Sequence, residues 1–298
     1  MNEQPVKTVA TGSLRIAFLD YGPSDGWPVI LSHGFPYDVH AFDDVAPILA
    51  DAGARIIVPY TRGFGPTCFA ADAIMRSGQQ AARGRDIVQL ADALGLERPI
   101  LAGFDWGGNA SCVVAALWPE RIGGLVWYAG YDIIDVSAQR HPSAPSLEHV
   151  CWYQHLFQTE RGRACLAEHR RDLCRMLWEE WSPGWRFDQA VFDRTAASFD
   201  NPHFVDVVIH CYRHSFGLAA GDPALDSLEQ RLAQKPAIAV PAVTLDGTRD
   251  PLKPGGTSDH SRMFIAAHEH RVIDAGHNLP QEQPSAFADA ILKVREWL

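Results

Sequence analysis

The sequence predicts an α/β fold in which a mostly parallel sheet is covered by helices on both faces. Two observations carry that prediction. Strand-like apolar runs at 14–20, 28–32, 54–59, 99–103 and 123–129 alternate with helical stretches at about 41–52, 78–95 and 107–118, and such alternation builds parallel strands joined by crossover helices. The run at 99–103 also stops at a Gly-x-Asp-x-Gly-Gly turn, Gly103 to Gly108, and an Ala-rich helical segment follows. A strand that turns this tightly into a helix needs small residues around its central one.

The other segments follow in chain order. The 28–32 run ends in His33-Gly34-Phe35-Pro36, a sequence suited to an exposed turn whose backbone N–H groups can form an oxyanion hole. Further on, Arg62-Gly63-Phe64-Gly65 reads as a structural turn. The alternation breaks near residue 138. Residues 139–149, QRHPSAPSLEH, form a Pro/Ser-rich connector, and 150 to about 216 read as helical, with tryptophans at 152, 178, 181 and 185. Strands resume near 237: AIAVPAVTLDGTRDP (237–251) reads as a buried strand whose loop carries Asp246 and Asp250, and HRVIDAGHN (270–278) as a strand ending in Gly276-His277. This divides the chain into a core of residues 1–137 and 223–298 and a helical insertion of residues 138–222. The insertion should lie over the end of the sheet where open α/β sheets bind ligands.

The chemistry centres on Asp105, the middle of the Gly-x-Asp-x-Gly-Gly turn. A residue on such a turn projects its side chain above the sheet. A serine there would indicate acyl transfer through a hydroxyl, whereas a carboxylate attacks saturated carbon and leaves an alkyl ester on the protein. With Asp250 and His277 following in that order, the chain carries nucleophile, acid and histidine as in the hydrolase triad. Asp246 and Asp132 compete with Asp250 for the acid's place.

On these residues the chain resembles the α/β-hydrolase superfamily, and within it the branch of epoxide hydrolases and haloalkane dehalogenases with an aspartate nucleophile. The motifs are HGFP at 33–36, VPYTRGFGPT at 58–67, GFDWGG at 103–108, the acid loop ending at Asp250 and GHN at 276–278. The resemblance implies an eight-stranded sheet with a helical cap inserted after the sixth strand. It further implies backbone N–H donors at Phe35 and Trp106, with Phe35, Trp106 and Trp152 walling the substrate pocket. CWYQHLF at 151–157 and VIHCYRHSFG at 208–217 resemble the family's two cap segments, whose tyrosines hold the epoxide oxygen, and the matching positions are Tyr153 and Tyr212. Periodicity gives Tyr212 a second reading, because Val205, Val208, Ile209, Tyr212 and Phe216 recur at helical spacing and could simply be core.

The reaction implied is the opening of an epoxide to a vicinal diol through a covalent ester on Asp105, with water as second substrate and neither metal nor cofactor. Haloalkane or haloacetate dehalogenation with the same nucleophile is the alternative. Its strongest residue is Trp106, whose indole could serve a departing halide, but Trp152-Tyr153-Gln154 fits the epoxide pattern better. A hydrolase fold that only binds a ligand is a third reading, opposed by the filled positions at 105, 250 and 277.

Composition limits the partners. The chain has 298 residues, 47% hydrophobic and 21% charged, which suits one large domain with an insertion. Net charge is −10 with scattered Lys and Arg, so nucleic acid and anionic membrane surfaces are not expected. No 18-residue apolar run and no basic-then-apolar leader are present, which argues against a membrane span or signal peptide and for the cytoplasm. The six cysteines form no Cys-x-x-Cys pair and are expected to be reduced. A small-molecule epoxide and water are the expected partners; whether the chain forms a homodimer is left open.

Overall fold

In the computed structural model, which describes residues 4–298, nine strands form one sheet. They are β1 (Lys7–Ala10), β2 (Leu14–Tyr21), β3 (Trp27–Ser32), β4 (Ala54–Pro59), β5 (Cys68–Phe69), β6 (Ile100–Gly103), β7 (Gly124–Tyr128), β8 (Ala242–Gly247) and β9 (His268–Ile273). Their order is β1-β2-β4-β3-β6-β7-β8-β9, with β5 set against β2. β2 pairs antiparallel with β1, β4 and β5, and every pairing from β4 across to β9 is parallel.

Burial explains which strands the sequence reveals. All residues of β6 (ILAG) and β7 (GLVWY) are buried, as parallel strands covered on both faces must be, and they read as continuous apolar runs. β9 lies at the edge, is only half-buried and carries His268, Glu269, His270 and Arg271, side chains that discourage further pairing. β1, mostly exposed, completes the expected eight strands. The ninth is β5, whose two residues face Leu14 and Arg15 of β2 and are too few to leave a periodic signal.

The helices fall near their expected places with shifted ends. The stretch expected at 41–52 is a 3-10 turn, Val39–Phe42, followed by the helix Val45–Asp51. The helices Gln80–Ala93 and Asp105–Leu117 pack on each other, as do Val45–Asp51 and the C-terminal helix Pro284–Glu296. The second of these helices starts at Asp105 rather than 107, so the central residue of the glycine-rich turn is itself the first helical residue.

Between β7 and β8 the described chain contains helices and no strand: Pro145–Val150, Trp152–Leu156, Glu160–Glu168, Arg170–Trp181, Gln189–Ala196, Phe204–Ser215 and Asp226–Leu232. The Pro/Ser-rich connector is partly ordered as the first of these, with Pro145 in its opening turn, where a missing N–H costs nothing. Buried polar contacts fix this helical segment to the turns after β3 and β4. Trp178 Nε1 donates to Pro36 O at 2.8 Å, Asp38 accepts from Thr195 at 3.0 Å and Ser198 at 2.6 Å, and Asn201 Nδ2 donates to Thr67 O at 2.7 Å. Phe64 of the Arg-Gly-Phe-Gly turn is buried, and its Arg62 pairs bidentately with Asp86 at 2.6 and 2.8 Å. Among the described residues no helix is long and apolar enough to cross a membrane.

Candidate active site

The turn after β6 places Asp105 at φ +51°, in the left-handed region that residues other than glycine seldom adopt, at a cost of about 1–3 kcal/mol. The glycines around it are required by close approach. A Cβ on Gly107 would overlap Ser32 O, one on Gly108 would overlap the Trp127 ring, and one on Gly34 would overlap Asp105 Oδ1. The turns after β3 and β6 are thereby pressed together. Phe35 N–H donates to Asp105 Oδ1 at 2.7 Å, and Trp106 N lies 2.5 Å from where a Gly34 Cβ would stand.

His33 fixes the first of these turns. Its Nδ1 lies 3.0 Å from Gly34 O and its Nε2 accepts from Thr61 N–H at 3.1 Å. Both bonds suit a neutral ring, and burial lowers its pKa to about 4.

Asp105, His277 and Asp250 stand in a row. His277 Nδ1 is 2.9 Å from Asp250 Oδ2, and Nε2 is 3.5 Å from Asp105 Oδ2, a separation for charge attraction rather than a short hydrogen bond. Burial alone would lower the histidine's pKa, but the Asp250 carboxylate and the facing Asp105 outweigh it and raise it to about 10. For Asp250, burial pushes toward the neutral acid; the His277 charge, the Leu252 N–H and the Tyr128 hydroxyl reverse that and leave its pKa lowered. The loop bearing His277 is held from above, since His277 N–H donates to Trp181 O at 2.9 Å and Asn278 N–H to Ser182 Oγ at 3.0 Å.

A cavity of about 520 Å³ opens over this row, lined among others by Asp105, Trp106, Tyr153, Tyr212, His277 and Arg83. Tyr153 and Tyr212 come from different helices and meet with ring centroids 5.3 Å apart at 90°. Gln154 Nε2 donates to the Tyr153 hydroxyl at 2.9 Å, which leaves that hydroxyl's own proton available to another acceptor. Burial first, then neighbouring acidic groups, push both phenols well above their ordinary pKa. Each is therefore a proton donor at neutral pH.

A comparison of families decides the larger assignment: the alpha/beta hydrolase fold family matches residues 28–284. The chain belongs to the α/β-hydrolase family. This α/β hydrolase is 34% identical to epoxide hydrolase A of Mycobacterium tuberculosis (strain ATCC 25618 / H37Rv) over an alignment of 324 residues that covers 96% of each chain. The alignment with epoxide hydrolase B of the same strain, 30% identical over 170 residues, takes in 53% of this chain and spans only 47% of that relative's length. Relatives named haloalkane dehalogenase match over 36–52% of this chain. A crystal structure from Klebsiella pneumoniae subsp. pneumoniae MGH 78578, described as a candidate epoxide hydrolase, superposes with a TM-score of 0.96 at 41% identity, covering 98% of this chain and 97% of that one.

Not every residue expected at the site of this α/β hydrolase is there. Asp246 accepts from Thr257 and stands 3.2 Å from His270, and Asp132 stands 3.9 Å from Lys253. Neither carboxylate meets His277. Phe35 is fully buried, stacked on Trp106 at 5.5 Å, so its ring backs the site and its N–H faces it. Trp152 is absent from the cavity lining; its indole donates to Glu180 at 3.0 Å in an exposed contact. His141 and His155 also line the cavity. Two residues carry no motif yet belong to the site: Tyr128 at the end of β7, which bonds Asp250, and Arg83 against Trp106. Only for Tyr128 was there a signal, a polar-tipped residue at the carboxyl end of a central strand.

Proposed function

We propose that this α/β hydrolase opens epoxides to vicinal diols through a covalent ester on Asp105. The observation that carries the reading is the pair of protonated phenols, Tyr153 and Tyr212, in one cavity with a carboxylate on the strained turn. Opening an epoxide creates an alkoxide that stays on the substrate, so the site must supply an acid for it. Two phenols meeting above a nucleophile supply that acid. Residues 138–222 act as a cap that brings both of them to the sheet.

In the first half-reaction Asp105 Oδ2 forms a bond to an epoxide carbon while the carbon–oxygen bond breaks, and a tyrosine hydroxyl gives its proton to the released oxygen. In the second, His277, oriented by Asp250 and freed of its own proton by returning one to that tyrosine, takes a proton from a water that adds to the ester carbonyl. The charge then developing on Oδ1 falls where Phe35 N–H already points, with Trp106 N–H alongside. By analogy with measured oxyanion donors each is worth about 2.7–4 kcal/mol. Collapse breaks the bond from the carbonyl carbon to the alkyl oxygen, and the departing oxygen takes the proton of the newly formed carboxyl group, releasing the diol and restoring the carboxylate.

The test sets styrene oxide, with diol measured, beside a primary alkyl bromide, with halide measured. Diol formation is expected. Halide release without diol would place the chain with the dehalogenases, and neither product would favour a ligand-binding role.

A further inference from the structure

We propose that the cavity accepts substrates bearing a carboxylate and that Arg83 binds it. The inference rests on the epoxide reading only for the reactive end of the substrate, so the ligand class is an epoxy carboxylic acid. The acidic end is argued from the arginine alone.

Arg83, on the helix Gln80–Ala93, is 4% exposed and lines the same cavity as Asp105. Among the described residues no carboxylate lies within 4 Å of it. Its contacts are neutral: Nη1 donates to Cys211 Sγ at 2.8 Å, Nη2 donates to Asn109 Oδ1 at 2.7 Å, and the guanidinium sits 4.9 Å from the centroid of the Trp106 ring. Nε has no partner. Of the five N–H groups a guanidinium carries, two are used, and each terminal nitrogen keeps one to spare. Two parallel N–H groups on adjacent nitrogens are the fork that a carboxylate fits bidentately.

Arg62 shows how this fold treats an arginine buried for structure. It is 3% exposed, pairs with both oxygens of Asp86 and donates to Ser77 O. A buried charge left without a counter-ion is costly, and Arg83 has been left so beside the nucleophile. The remaining charges around the cavity have near partners. Glu148 meets His155 at 2.7 Å, Asp132 meets Lys253 at 3.9 Å, and Asp105 and Asp250 face His277. Those two carboxylates share one imidazolium, and their surplus negative charge balances Arg83 from a distance in the free protein. A substrate carboxylate seated on the guanidinium would give Arg83 the counter-ion it lacks.

The test uses unreactive probes so that it stands apart from turnover. Calorimetric titration of the full chain with cinnamate and with cinnamamide, equal in size and differing in charge, should give at least tenfold tighter binding of the acid. Arg83→Gln should bring the two affinities together, and Arg83→Lys, which keeps the charge without the fork, should hold an intermediate ratio. The ratio within each protein removes any general effect of the substitution, and should Arg83→Gln fail to fold, the wild type and Arg83→Lys decide. No measurable binding of the acid to the wild type, equal binding of acid and amide, or a preference unchanged in the variants would overturn the proposal. Because no epoxide is present, a failure of epoxide opening would sink the catalytic reading and leave this result standing.

Discussion

The Tyr128 hydroxyl lies 2.8 Å from Asp250 Oδ2, the same oxygen that His277 Nδ1 approaches at 2.9 Å. A carboxylate held by two donors on one oxygen and by Leu252 N–H on the other can neither rotate nor protonate easily. Tyr128→Phe removes a bond to a charged group, worth about 1.5–3 kcal/mol, and should lower stability by about that much at neutral pH. Asp250 has a lowered folded pKa, so the stabilisation from its ionised form is present above the unfolded carboxylate value and is lost as pH falls through the folded one. The gap between wild type and Tyr128→Phe should therefore narrow on acidification. Urea unfolding of both proteins at neutral and acidic pH measures it; a gap that does not change with pH would mean the phenol acts by packing alone.

A second pH dependence has the opposite sign. His277 is raised to about 10 from an unfolded value near 6.5, so its charged form stabilises the fold fully below the unfolded value. That stabilisation is lost as pH rises toward the folded one. Thermal unfolding of the wild type and of His277→Gln between pH 7 and 10 should show the wild type losing stability faster. Parallel curves would contradict a protonated histidine in the resting protein.

The ester intermediate can be caught directly. His277→Gln keeps the nucleophile and the phenols but lacks the base, so exposure to epoxide should leave a covalent adduct visible by intact mass. With the wild type, turnover in ¹⁸O-water should place label in the peptide containing Asp105. An unlabelled peptide after many turnovers would mean that water attacks the epoxide itself.

The paired phenols should be partly redundant. Tyr153→Phe or Tyr212→Phe alone should slow epoxide opening by roughly 10²-fold, the lower end of what one positioned acid contributes, while the double variant should nearly abolish it. Melting temperatures should change little, because each substitution removes a hydroxyl and almost no buried volume. Near-normal turnover in the double variant would reject the epoxide assignment.

How legible the site was depends on whether a residue's role is local. Asp105 shows itself because the strained turn must be framed by glycines, and His277 because it follows a glycine at a strand's end. Asp246 lies near the end of β8 and Asp250 four positions on in the loop that follows, and only the fold separates them, turning Asp250 to His277 and Asp246 to Thr257. The Tyr128–Asp250 and Arg83–Cys211 contacts join residues 122 and 128 positions apart, and no spacing rule reaches that far. Strands buried on both faces were plain as apolar runs. The short, exposed β1 and the two-residue β5 had no such run to show.

The shared imidazolium also sets the order of events in the proposed cycle. While Asp105 is free its negative charge helps hold the proton on His277, so the ring cannot act as a base and water beside it stays inert. Alkylation erases that charge, the ring's proton affinity drops, and the proton it yields matches the one a tyrosine has just given to the opened oxygen. The base is thus armed by the product of the step before it. A catalyst wired this way needs no moving part to keep its two half-reactions in sequence; the bond that ends the first unlocks the second.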